Sequence, residues 1–151
     1  MAYSILRLAA HDTETLRDLL RVFAEAFDDP VAYRDAVPDD AYLRTFLARD
    51  DHFVVVARDE RRVVGGLVAY ELMKFERRRK EIYIYDLAVV STHRRRGIAR
   101  GVIAALKDIA RSRGAYVIYV QADPGDEAAI ALYDSLGSKE DVHHFDIDPN
   151  A

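Results

Sequence analysis

Residues 83–106, reading YIYDLAVVSTHRRRGIARGVIAAL, constrain this chain more than any other stretch: an apolar strand carrying one aspartate, a short basic loop, then an amphipathic helix opened by glycine. In the helix, Ile98, Val102, Ile103, Leu106 and Ile109 recur at helical spacing, while Arg100, Lys107, Asp108, Arg111 and Arg113 fall mostly on the opposite side. Gly114 suits its C-cap. A strand and a one-faced helix joined this tightly require a sheet with a helix packed on it. The loop has a chemistry of its own. Arg94, Arg95, Arg96, Gly97, Ile98, Ala99 and Arg100 offer consecutive backbone N–H groups where a helix begins, and that end leaves its donors unpaired and partly positive. Gly97 has no Cβ and Ala99 only a methyl, so an anion can approach the backbone, and arginines grip phosphate oxygens in pairs. The combination suits a pyrophosphate; a solvated helix start is the alternative. The chain contains neither G-x-x-x-x-G-K-[ST] nor G-x-G-x-x-G, which argues against ATP and NAD.

The remaining pattern is regular. Residues 3–8 read as a strand. Asp12 or Thr13 caps a helix with Leu16, Leu19, Leu20, Phe23, Ala24 and Phe27 on one face, ending near Asp28-Asp29-Pro30. A loop follows, and Pro38-Asp39-Asp40 starts a second helix expected to bury Tyr42, Leu43, Phe46 and Leu47. Residues 53–57 and 63–72 form a hairpin through the charged turn 59–62. After a break at 74–80 come strands at 81–90 and 115–122, a helix at 126–136 and a final strand at 141–148. The order β-α-α-β-β-β-α-β-α-β predicts an α+β fold with one mixed sheet. At 151 residues, half of them hydrophobic, a single domain over 1–151 is expected.

Composition removes several function classes. Without cysteine there is no disulfide, thiol nucleophile or cysteine–metal site. No apolar run reaches membrane-spanning length, including the segment MAYSILRL, so a cytoplasmic protein with no membrane association is expected. Net charge is −4 despite the basic clusters at 77–80 and 94–96, which disfavours a nucleic-acid partner and suits a basic cofactor pocket beside an acidic substrate region. No metal is expected: His143 and His144 are adjacent on a strand and point to opposite faces. Ser91 and His93 lack the acid and elbow of a hydrolase triad.

Asp86 stands out. Strict alternation puts Ile82, Ile84, Asp86, Ala88 and Val90 on one face, a carboxylate in an apolar row. Unpartnered burial would be costly, so Asp86 should have a strong partner, lie at a bulge, or face a cleft that uses its charge. A hydrogen-bonded structural aspartate is the competing reading.

Arg94-x-x-Gly97-x-Ala99 after this strand, and Asp126-x-x-Ala129-x-x-Leu132-Tyr133-x-x-Leu136-Gly137 downstream, resemble the acyl-CoA-binding and C-terminal motifs of the GCN5-related N-acetyltransferases. Lys74-Phe75-Glu76, the segments 81–89 and 114–123, and His144-Phe145-Asp146-Ile147-Asp148-Pro149 resemble the small, type I aminoglycoside 3-N-acetyltransferases, and this likeness runs from about Ala2 to Pro149. It implies the acetyltransferase fold, a mostly antiparallel mixed sheet flanked by helices. It also implies direct transfer of acetyl from acetyl-CoA to the 3-amino group of a 2-deoxystreptamine ring, and with it antibiotic resistance.

On that resemblance Asp86 is the base that accepts the amine proton, directly or through water, and also a substrate ligand, with Glu81 a weaker alternative. Leu87, Ala88 and Val89 hold pantetheine through their backbone, and the Val89 N–H is the expected oxyanion donor. Residues 94–100 take the pyrophosphate, and Tyr133 protonates the leaving thiolate. Asp123, Asp146 and Asp148 recognise ammonium groups by charge-assisted hydrogen bonds. The motif departs from its usual form at Asp126, where asparagine is customary, and at Ser138, where an aromatic is customary. A homodimer is also implied. The alternatives are acetylation of polyamines or protein amines, and a non-catalytic acyl-CoA sensor.

Overall fold

A computed structural model describes residues 3–151; Ala2, where the resemblance begins, lies outside them. The elements run β1 (Ser4–Arg7), α1 (Thr13–Ala26), α2 (Pro30–Tyr33), α3 (Asp40–Ala48), β2 (His52–Asp59), β3 (Arg62–Met73), β4 (Lys80–Val89), α4 (Ile98–Arg113), β5 (Ala115–Val120) and α5 (Glu127–Asp134), with a 3-10 turn at Ser91–His93. The five strands form one sheet in the order β1-β2-β3-β4-β5. The first four are antiparallel, and β5 joins β4 in parallel after the α4 crossover. The fold is α+β with a mixed sheet flanked by helices. The chain resolves into two compact units, residues 1–121 and 122–151.

In the first unit each sheet face has its own helical cover. A Cβ on Gly66 would strike Leu19 of α1, whereas one on Gly65 would come within 3.3 Å of Ile98 of α4, so adjacent residues of β3 point to opposite layers. Leu16, Leu19 and Phe23 seal the α1 side, and Val102, Ile103 and Leu106 the α4 side. Phe53, Val55, Leu67, Ile82 and Ile84 are essentially inaccessible between the layers. Asp39 accepts a hydrogen bond from the Tyr42 amide at 2.9 Å and so caps α3, as expected of Asp at that position. Tyr42 itself is exposed; α3 packs through Leu43 and Leu47, and the expectation that Tyr42 is buried does not hold.

Two elements differ from the sequence expectation. The stretch read as loop after α1 contains α2, a single turn that Asp29 caps by accepting from the Ala32 amide at 3.1 Å, with Pro30 at its first position. The final strand expected at 141–148 is not formed. That segment has no strand partner among the described residues, and Val142, Phe145 and Ile147 stand exposed. In the second unit, α5 is capped by Asp126, which accepts from the Ala129 amide at 3.1 Å.

Candidate active site

The register between β3 and β4 decides where Asp86 points. Ala69 pairs with Ile84 and Val68 with Asp86, so Tyr85 is an extra residue, a β-bulge. Paired residues share a face, and the bulge resets the alternation. Ile82 and Ile84 point to the α4 side with Ala69, whereas Asp86 and Ala88 point to the α1 side with Val68 and Gly66. The row of Ile82, Ile84, Asp86, Ala88 and Val90 predicted from strict alternation is therefore broken at Tyr85. The carboxylate leaves the apolar α4 layer and enters a face lined by tyrosines.

There Asp86 is half-buried and accepts a hydrogen bond from the Tyr33 hydroxyl to Oδ2 at 2.9 Å. Burial pushes its carboxyl above the usual aspartate range, and the Tyr33 hydrogen bond opposes that shift. Burial and the Asp86 contact in turn hold the Tyr33 phenol far above its ordinary value. Around them runs a chain of ring contacts: Tyr70 to Tyr85 at 5.9 Å, Tyr85 to Tyr83 at 5.9 Å, and Tyr83 stacked on Tyr119 at 4.7 Å. Glu81 lies at the other end of β4, holding Lys74 at 3.5 Å and accepting from the Tyr116 hydroxyl at 2.9 Å, both structural partners.

Beyond Asp86 the strand changes neighbours. The β4–β5 ladder ends at the pair Ile84 and Val120, so Tyr85–Val89 have no β5 partner among the described residues. Leu87, Ala88 and Val89 thus lie on a stretch of β4 whose β5-side edge is open, the condition under which backbone N–H and C=O can pair with an extended ligand. The Val89 carbonyl accepts a long bond from Arg94 Nε at 3.4 Å.

The basic loop follows directly. Arg94, Arg95, Arg96, Gly97 and Arg100 are exposed, Ala99 is half-buried, and Ile98 is buried and anchors α4. Arg95 and Gly97 both have positive φ, at 62° and 77°. A left-handed conformation costs an ordinary residue about 1–2 kcal/mol, which glycine avoids. Around Gly97 a Cβ would meet only the Tyr3 hydroxyl, at 3.9 Å, so its amide surface is open. His93 Nε2 lies 2.8 Å from Asp59 Oδ2 and ties the preceding turn to the β2–β3 hairpin. The open β4 edge and this uncrowded helix start fit the extended arm and the pyrophosphate of a coenzyme A thioester.

The other expected residues belong to the second unit. Tyr133 lies on α5, where burial and the Asp126 carboxylate push its phenol up to about 12. Asp123 precedes α5 and is exposed. Asp146 holds His144 at 2.9 Å, and Asp148 accepts from the Asn150 amide at 2.8 Å; both are exposed. Among the described residues no cluster of three metal-ligating side chains occurs, and no helix is long and apolar enough to cross a membrane. Tyr33 escaped the sequence reading, although Asp29-Pro30 ahead of it is a helix-start signature.

The chain is similar to several known acetyltransferases. An aminoglycoside acetyltransferase from an uncultured soil metagenomic sample is 48% identical and superposes with a TM-score of 0.96 over 98% of this chain and 99% of its own. A second soil-metagenome aminoglycoside acetyltransferase, in complex with sisomicin, is 32% identical with a TM-score of 0.89, over 97% and 95% of the two chains. Among curated proteins, human N-acetyltransferase 8 is 29% identical over 68% of this chain, a match spanning 45% of the human protein. N-alpha-acetyltransferase 30 of Schizosaccharomyces pombe is 26% identical over 88% of this chain and 83% of its own length. The family model for acetyltransferases of the GNAT family matches residues 14–137, and the chain belongs to that family.

Proposed function

We propose that the chain is an aminoglycoside 3-N-acetyltransferase that moves acetyl from acetyl-CoA directly to the 3-amino group of a 2-deoxystreptamine ring, and so confers antibiotic resistance. The observation that carries the amine-acetylating part is the position of Asp86. It is a partly desolvated carboxylate with no cationic partner among the described residues, immediately before the open edge of β4. The 48% identical aminoglycoside acetyltransferase supports the substrate class.

An aliphatic ammonium must lose a proton before its nitrogen can attack a carbonyl, and Asp86, whose proton affinity is raised, accepts it directly or through a water. Acetyl-CoA supplies the acyl thioester. Leu87, Ala88 and Val89 align it through their backbone groups, the Val89 N–H polarises the carbonyl oxygen, and residues 94–100 hold the pyrophosphate. As the C–N bond forms and the C–S bond breaks, Tyr133 gives a proton to the departing sulfur, and the second proton shed by the nitrogen restores the phenol, directly or through water; a phenol at about 12 is protonated at neutral pH before the step. Asp123, Asp146 and Asp148 bind the drug's other ammonium groups. No metal takes part. In this reading residues 1–151 are a single acetyltransferase domain, cytoplasmic and assembled as a homodimer.

The test is acetyl-CoA consumption with sisomicin, followed by NMR of the product. Acetylation at nitrogen 3 is expected; no turnover at saturating drug overturns the substrate while leaving coenzyme A binding to be measured separately. A second reading, acetylation of protein amino groups, rests on the match to N-alpha-acetyltransferase 30. Peptides and spermidine assayed in parallel distinguish it.

A further inference from the structure

We infer that Tyr33 is a positioning residue for Asp86, holding one carboxylate oxygen so that the other is presented to the incoming amine; this rests on the role proposed for Asp86. The contact joins α2 to β4 across 53 residues of sequence, with the Tyr33 hydroxyl donating to Oδ2 at 2.9 Å. Oδ1 has no such donor among the described hydrogen bonds and is the oxygen left for the ammonium.

The Tyr33 ring is itself braced. It packs edge-on against Phe23 at 5.8 Å and tilted against Phe27 at 5.5 Å, and those two rings stack on each other at 5.5 Å. Phe23 is 1% exposed and belongs to the core, so the hydroxyl hangs from a rigid mount. The short helix that delivers it is fixed by the Asp29 cap and the Pro30 start. An aspartate carboxylate turns freely about its terminal torsion, and a donor fixed to the core restricts that rotation.

The groups around this pair come from several elements. Tyr33 comes from α2, Tyr70 from β3, and Tyr83 and Tyr85 from β4 itself, while Asp29 acts on Tyr33 from the α2 cap. α1 meets the same face through apolar Leu19 and Phe23, and it also brings Arg17 and Arg21 to a cavity that Tyr33, Arg34 and Asp39 line. Among the described residues no lysine, arginine or histidine shifts Asp86, and the neutral Tyr33 phenol is the donor that favours its charged form. In the proton transfer the amine proton moves to Asp86 and Tyr33 keeps its own, because its phenol is far less acidic than the carboxyl.

Tyr33→Phe tests this, since it keeps the ring against Phe23 and Phe27 and removes only the hydroxyl. With acetyl-CoA and sisomicin, kcat/KM is expected to fall about tenfold, the scale of one hydrogen bond to a charged group. Coenzyme A affinity should stay unchanged. The acidic limb of the pH profile, and the Asp86 carboxyl titration followed by carbon-13 NMR, should both move to higher pH. In an Asp86→Asn background the same substitution should cost nothing further, which a merely structural tyrosine would not obey. An inactive Asp86→Asn beside a Tyr33→Phe enzyme with unaltered rate, profile and titration overturns this inference alone. Undiminished turnover in Asp86→Asn overturns the base assignment and this inference with it.

Discussion

Two carboxylates occupy opposite faces of the same sheet and obey opposite physics. Glu71, on β3, points to the α4 side and meets cations: Arg113 donates to it through Nε and through Nη2, the latter at 2.9 Å, and Lys80 lies 3.5 Å away. Arg113 and Lys80 hold its carboxyl below the ordinary glutamate range, and only 6% of its side chain is exposed. Asp86, on β4, points to the α1 side and has a phenol as its partner, with no cation among the described residues, so burial raises it instead. The first is an ion pair that fastens the end of α4 to the sheet. The second carries a proton affinity that the fold has raised and left without a compensating charge, the condition expected of a base. Degree of burial alone would not separate them; the charge of the neighbour does, cationic for Glu71 and neutral for Asp86.

The largest expected effect follows from removing the poised group. Asp86→Asn should lower turnover by about 10²- to 10⁴-fold, the range of one general base, with coenzyme A binding by calorimetry within about twofold of the parent. Glu71→Gln should behave in the converse way. Arg113 then keeps the exposed Asp50, at 3.9 Å, and losing its charged bond to Glu71 should cost about 2 kcal/mol in denaturant unfolding, while turnover per folded molecule stays near that of the parent. If Glu71→Gln abolished turnover without loss of stability, the contrast would be wrong.

The pH dependence sharpens it further. Glu71 titrates below its unfolded value of about 4.3, so its stabilisation is present above that pH and disappears as pH falls through the folded value. Asp86 titrates above its unfolded value of about 3.9, so its relative stabilisation is complete below that pH and lost as pH rises through the folded value. Asp86→Asn should therefore melt higher than the parent at neutral pH, on a scale of about 2–4 °C per kcal/mol, with the difference closing near pH 4. The smallest effect belongs to the exposed acids. Asp146→Asn and Asp148→Asn should alter stability by less than about 0.5 kcal/mol and raise KM for sisomicin severalfold without changing kcat.

The ordered parts of the fold were legible because local pattern and tertiary cover agree. Ile98, Val102, Ile103 and Leu106 mark the buried face of α4, Gly114 ends it in the left-handed region, and Asp39 caps α3. The face of Asp86 was not legible, because period-2 alternation assumes a regular ladder and the bulge is defined only against β3. The sequence reading did anticipate that an aspartate in that row needs a partner or a bulge, and Asp86 has both. The partner's identity was out of reach, since Tyr33 meets it across 53 residues from a four-residue helix too short for periodicity to register. The expected strand at 141–148 failed for a related reason. Alternation in the segment ending His144-Phe145-Asp146-Ile147-Asp148 describes what a strand would present, but a strand also needs a neighbour to pair with, and this segment has none.

The bulge at Tyr85 also makes β4 unevenly tolerant of deletion. Loss of any residue between Lys80 and Ile84 would shift the residues before it by one position and turn their side chains to the opposite layer, driving Ile82 or Glu81 out of place. Loss of Tyr85 alone would leave Ile84 facing α4 and Asp86 facing α1, in an uninterrupted ladder with Ala69 and Val68. It would also straighten the strand at the point where its pairing with β5 stops. A chain lacking that single residue would thus uncouple the layer Asp86 faces from the path β4 takes beyond it.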